Sequence, residues 1–159
     1  MTPPRSASRP PLARIRAAAL ALALGGSCLP AADLKTAAAE PNLVKRSRLA
    51  LANGERAVLA AGDACRTGDH DRCNDLLAET RESVELAKNS LDKTGLSPNR
   101  SPRHFKDAEI RTRKILRLLD AARSYVHPDD QQLYDSVRAG ISGVNDQLLA
   151  GVMGRKKKK

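Results

Sequence analysis

The chain lacks tryptophan and has one phenylalanine and two tyrosines among 159 residues, so aromatics are 2% of it. Phe105, Tyr125 and Tyr134 are too few to stack successive bases, which argues against a platform for single-stranded nucleic acid. The composition suits helices packed through Ala, Leu and Val. Histidine is scarce as well. None of His70, His104 and His127 has a Glu three residues before it, so the Glu-x-x-His pairs of a di-iron bundle are missing. Cys-x-x-Cys-His, phosphate-cradling Gly-rich loops and Gly-x-Ser-x-Gly are missing too. With no acid, base and nucleophile grouped, the chain reads as non-enzymatic, with no cofactor and no resident metal.

Long apolar runs are also absent. Residues 17–24, Ala-Ala-Ala-Leu-Ala-Leu-Ala-Leu, fall well short of the roughly 20 residues that cross a bilayer. They follow a start, residues 1–16, with four Arg and no acidic residue. A basic start, a short apolar run and small residues after it read as a secretory signal peptide, and no twin arginine diverts it from the general route. Two cut sites fit a small-x-small rule: Ala37-Ala38-Ala39 before Glu40, and Gly25-Gly26-Ser27 before Cys28. The second resembles the lipobox of bacterial lipoproteins with its Leu one place early, which makes Cys28 a candidate for lipidation. Residues 1–39 are read as signal peptide and short tether. The expected location is periplasmic or extracellular, with peripheral or lipid-anchored membrane association.

The net charge of +10 sits at the ends. Residues 1–39 carry five basic residues against Asp33, a net +4, and Arg155, Lys156, Lys157, Lys158 and Lys159 add +5, which leaves +1 for residues 40–154. A DNA-binding domain would carry basic charge on the fold itself, so nucleic acid is not an expected partner. The last five residues read as a basic disordered tail suited to anionic envelope polymer or lipid headgroups, where each charge is worth ~1 kcal/mol.

Between the ends the spacing is helical. Val44, Leu51, Val58 and Cys65 fall seven apart, with Ser47, Gly54 and Ala61 as a companion row whose small side chains admit a close neighbour. Asn53-Gly54 is a turn signal by itself, but the seam keeps its phase across it, so one helix is read at a cost of about 1 kcal/mol. Pro41 suits that helix's first turn. Cys73, Leu77, Thr80, Val84, Ala87 and Leu91 repeat the seam as far as Gly95. Ser101 and Pro102 read as cap and first turn of a third helix carrying Phe105, Ala108, Ile115, Leu119, Ala122 and Val126, and His127-Pro128 stops it. Asp129-Asp130 opens a fourth, with Tyr134, Ile141 and Leu148 in one row and Val137, Val144 and Gly151 in the other. Gly140 and Gly143 within it point to close helix contact. The prediction is an all-α domain over 40–154. Its four long antiparallel helices, each about 35 Å, form two helical hairpins in an up-down bundle.

Residues 65–73, Cys-Arg-Thr-Gly-Asp-His-Asp-Arg-Cys, turn the chain between the first two helices. Gly68 suits the left-handed position after a helix, and Asp69 or Asp71 suits the cap of the next. Across so short a link Cys65 and Cys73 come within disulfide reach, and closing the loop contributes roughly 2.5 kcal/mol on the chain-entropy model. The rival is a metal held by Cys65, His70, Cys73 and Asp69 or Asp71, but the second close ligand pair of zinc sites is missing. The Gly-Asp turn resembles the hinge of tetratricopeptide repeats, but such arrays need units of roughly 34 residues, with helices about half this length. At the third helix start, Arg100, Arg103, His104 and Lys106 suit a solvated basic start or an anion site.

These features point to an exported, non-enzymatic helical-bundle module of the bacterial envelope with a protein-interaction or structural role, its partner an envelope protein or anionic polymer. The alternatives are attachment to an anionic surface through the tail, or a periplasmic chaperone-like binder with an exposed apolar groove. With residues 40–154 near neutral, removing Arg155 to Lys159 is expected to abolish low-salt co-sedimentation with anionic vesicles. The thermal midpoint should stay unchanged, because a disordered end buries little.

Overall fold

The computed structural model of the chain describes residues 33–154; the apolar run at residues 17–24 read as part of a signal peptide, Cys28 and the tail from Arg155 to Lys159 lie outside the described residues. The described residues are helical, without a strand, and four long helices pack against one another. The order is α1 (Leu34–Ala39), α2 (Leu43–Thr67), α3 (His70–Lys93), α4 (Pro102–Ala122) and α5 (Gln131–Met153), with 3-10 turns at Arg123–Tyr125 and Pro128–Asp130 between the last two. The sequence pattern carried no sign of α1, which falls in the stretch assigned to leader and tether.

Most helix ends follow local chemistry, and some differ from the sequence expectation. Asn42 caps α2 by accepting from the Lys45 amide at 3.0 Å, so Pro41 stands outside the helix rather than in its first turn. Gly68 ends α2 at φ 78°, and Asp69 then caps α3 by accepting from the Arg72 amide at 3.3 Å. The Ser101 hydroxyl makes no capping bond, and Pro102 alone presets the first turn of α4. That helix stops at Ala122, before its apolar pattern ends, and tightens into the 3-10 turn; Val126 stays buried beyond it. His127 caps the second 3-10 turn, accepting from the Asp129 amide at 3.3 Å. Asp130 makes no side-chain cap at α5 and accepts instead from Asn74 Nδ2 of α3 at 2.7 Å.

Leu51, Val58, Leu77, Val84, Leu91, Phe105, Ile115, Leu119, Tyr134 and Ile141 form one buried core. Along α2 and α3 partner numbers run in opposite senses: Asn53 bonds Ser83 and Cys65 meets Cys73. The same holds where α4 and its 3-10 turn meet α5: Asp120 pairs with Arg138 and Arg123 with Asp135. Between these pairs the numbers rise together. Arg48, Gly54 and Gly62 of α2 meet Arg111, Ile115 and Ala122 of α4; Asn74 and Arg81 of α3 meet Asp130 at the start of α5 and Gly140 within it. So α2 runs parallel to α4 and α3 parallel to α5, while consecutive α3 and α4 touch little. A simple up-down order would place consecutive helices side by side all round.

A β-carbon added at Gly54 would stand 3.2 Å from both Ile115 Cδ1 and Ser83 Cβ, so the small row does admit close neighbours. At Gly140 it would meet the Arg81 side chain at 3.2 Å, whereas Gly143 has nothing within 4 Å and helix contact does not account for it. Gly143→Ala should therefore raise stability by about 0.5–1 kcal/mol through helix propensity alone. Gly54→Val should lower it by about 1–3 kcal/mol through overpacking. Urea denaturation of both variants checks the pair of signs.

Candidate binding face

Helix by helix, the near-neutral domain is not evenly neutral. Five basic residues face two acidic ones in α2, and six face three in α4, a net +3 each. In α3 four basic residues face six acidic ones, and in α5 one faces two, for −2 and −1. Because α2 lies beside α4 and α3 beside α5, the fold separates into a layer of +6 and a layer of −3.

The α2–α4 face has three zones along the helices. In the middle Glu55 of α2 accepts from Arg111 Nε at 2.7 Å and Lys114 Nζ at 2.9 Å, both on α4. Partial burial pushes the Glu55 carboxyl up, but these two bonds outweigh it and hold the group below its ordinary range. Arg111 also donates to the Arg48 carbonyl at 3.1 Å, which brings the α2 start against α4.

Toward the helix starts lies a depression of about 360 Å³ lined by Arg48, Arg103, Lys106, Asp107 and Ile110. The side chains of Arg48, Arg103 and Lys106 are exposed and make no ion pair or hydrogen bond among the described residues. Toward the helix ends, Leu59, Leu118 and Tyr125 wall a groove of about 170 Å³ over Gly62 and Ala122. Leu59 is 54% exposed and Tyr125 50%, large fractions for apolar bodies. That volume is below the roughly 300–1,000 Å³ of small-molecule sites and is on the scale of a single side chain.

The basic group expected at the third helix start is split. Arg103 and Lys106 join the depression, but His104 lies outside its lining, with Nδ1 buried and without a hydrogen-bond partner. Arg48, from the other helix, was not legible as a member. The spacing of 103, 106, 107 and 110 marks one face of α4, but nothing in the sequence says which α2 residue meets it.

Cys65 and Cys73 lie at disulfide distance, buried, with Cα atoms 5.1 Å apart. A pair bonded at that distance would offer no thiolate to a metal, and no three His, Cys, Asp or Glu side chains are grouped to hold one among the described residues. Two histidines that the sequence kept apart do meet. His70 and His127 stand edge to face with ring centroids 4.6 Å apart. Nδ1 of His70 lies 3.6 Å from Asp130, and Nδ1 of His127 lies 3.5 Å from Asp129. Both imidazoles are nearly half exposed, so the cluster is an open surface tie between α3 and the link before α5.

Compared with protein-family models, curated proteins and solved structures, the chain matches none.

Peptide mapping of the native protein without reduction should recover Cys65 and Cys73 in one linked peptide; free labelling of both thiols would refute the bond. Cys73→Ser should destabilise the fold by about 2–3 kcal/mol without unfolding it, because the interhelical core remains.

Proposed function

We propose that the protein is an exported, non-enzymatic binding module in which two helical hairpins lie side by side and present the α2–α4 face to an anionic partner of the cell envelope. The observation that carries this is the trio Arg48, Arg103 and Lys106 in one depression, with no partner among the described residues. Cations already paired within a fold are balanced; these three are available to an external anion. At ~1 kcal/mol each near an anionic surface, they supply about 3 kcal/mol, roughly a hundredfold in affinity. The leader pattern at residues 1–24 and the buried cysteine pair are the support for an oxidising, extracytoplasmic setting.

The tail is a second positive element rather than the whole of the positive surface. Charge separated by helix, rather than summed over 40–154, changes what truncation does. Protein lacking Arg155 to Lys159 is expected to keep part of its low-salt binding to phosphatidylglycerol vesicles. Arg48→Glu with Arg103→Glu in that background should then reduce co-sedimentation at least tenfold at unchanged thermal midpoint. Equal binding by the tail-less protein and its double variant would remove the face from the site. Loss of all binding with the tail alone would return the attachment role to the tail. For a chaperone-like role the apolar groove at Leu59 and Tyr125 is too small for an extended client.

A further inference from the structure

We propose that the leader is cut at the Ser27–Cys28 bond and that residues 33–39 stay as a structural part of the mature domain. This inference rests on the export reading above. The sequence offers a second bond, after Ala39, that satisfies the same small-x-small rule. What the fold does with residues 33–40 separates the two.

Helix α1 doubles back along α2. Glu40 stands beside Lys45 and Arg46 near the α2 start, while Asp33 shares a depression with Ala57, Ala60 and Leu76 farther along. Ala37 faces inward with 0% of its surface exposed and belongs to the main core. The backbone is tied to α2 at the end of α1, where the Glu40 carbonyl accepts from Arg46 Nε at 2.7 Å; the Ala37 amide's bond to the Asp33 carbonyl at 2.9 Å is the first turn of α1 itself. The Glu40 carboxylate pairs with Lys45 at 2.7 Å and accepts from the Asn42 amide at 3.1 Å. The hydrogen bond from Lys45 is the main reason the Glu40 carboxyl lies below its ordinary range.

Hydrolysis after Ala39 would remove Ala37 from its place in the core. It would also create an ammonium on Glu40, a third positive charge beside Lys45 and Arg46, where the fold uses Glu40 to balance them. Hydrolysis before Cys28 consumes one water, leaves a carboxylate on Ser27 and an amine on Cys28, and keeps α1 and its contacts whole.

The test is the first residue of the protein recovered from the exported fraction, read by intact mass and by its N-terminal peptide. Cys28 first, with or without an added lipid mass, is the expected result. Glu40 first would overturn the inference while leaving export standing. A full-length cytoplasmic species would overturn export and this inference with it. Ala37→Glu in the full-length chain provides a separate readout, with an expected drop of about 5 °C or more in thermal midpoint. An unchanged midpoint would mean that α1 is not part of the core and would overturn the inference.

Discussion

At Gly54 a single added carbon would stand 3.2 Å from a side chain of α3 and from one of α4, so α2 holds both neighbours close only because that position is bare. The residues on either side complete the junction. Asn53 turns to α3, donating to Ser83 at 3.0 Å and Glu79 at 2.6 Å, and Glu55 turns to α4 through Arg111 and Lys114. Three consecutive residues thus connect three helices. Asn-Gly is a turn signal in isolation, and here it lies inside an unbroken helix. The local preference loses because the contacts at this junction outweigh a propensity cost of about 1 kcal/mol.

A core with so few aromatics is narrow, and its polar members suit that. Thr80, Ser90 and Thr112 are buried, yet each hydroxyl donates to a carbonyl one turn back in its own helix, at 2.7–2.8 Å. They therefore pack as small side chains without an unmet bond. Tyr134 is the largest side chain fully inside, and its hydroxyl donates to the Leu119 carbonyl at 2.9 Å. That carbonyl lies in the last turn of α4, where partners within the helix run out. Burial of the ring raises the Tyr134 pKa, so the phenol stays protonated and keeps donating.

The charge pattern supports the proposed function through position rather than total. A sum near zero over 40–154 describes an even mixture and two opposed layers equally well. Ion pairs across and within the helices then decide which charges are free: Glu55 engages Arg111 and Lys114, Asp120 engages Arg138, and within α2 Asp63 engages Arg66. Arg48, Arg103 and Lys106 are left facing outward in one depression. The opposite face, with α3 and α5, carries the acidic excess, so a negatively charged surface would both attract and orient the domain.

Periodicity alone determined the four long helices, because burial of an apolar stripe depends on spacing within one helix. The seam residues read from it between Leu51 and Leu148 are buried except Val144, which is half-buried, as Val44 and Gly151 are at the two ends. The Gly68 stop and the neighbourhood of Cys65 and Cys73 were equally legible, since both depend on residues a few positions apart. Pairing between helices was not legible. Whether α4 lies beside α2 or α3 depends on which surfaces fit, and the bare Gly54 and the pairing of Glu55 speak only once Ile115 and Arg111 are placed opposite. For the same reason Arg48 joined Arg103 and Lys106, His70 met His127, and Ala37 entered the core from a stretch read as leader. The sequence determined the helices; tertiary structure decided which helices are neighbours, because complementarity between distant surfaces has no local signature.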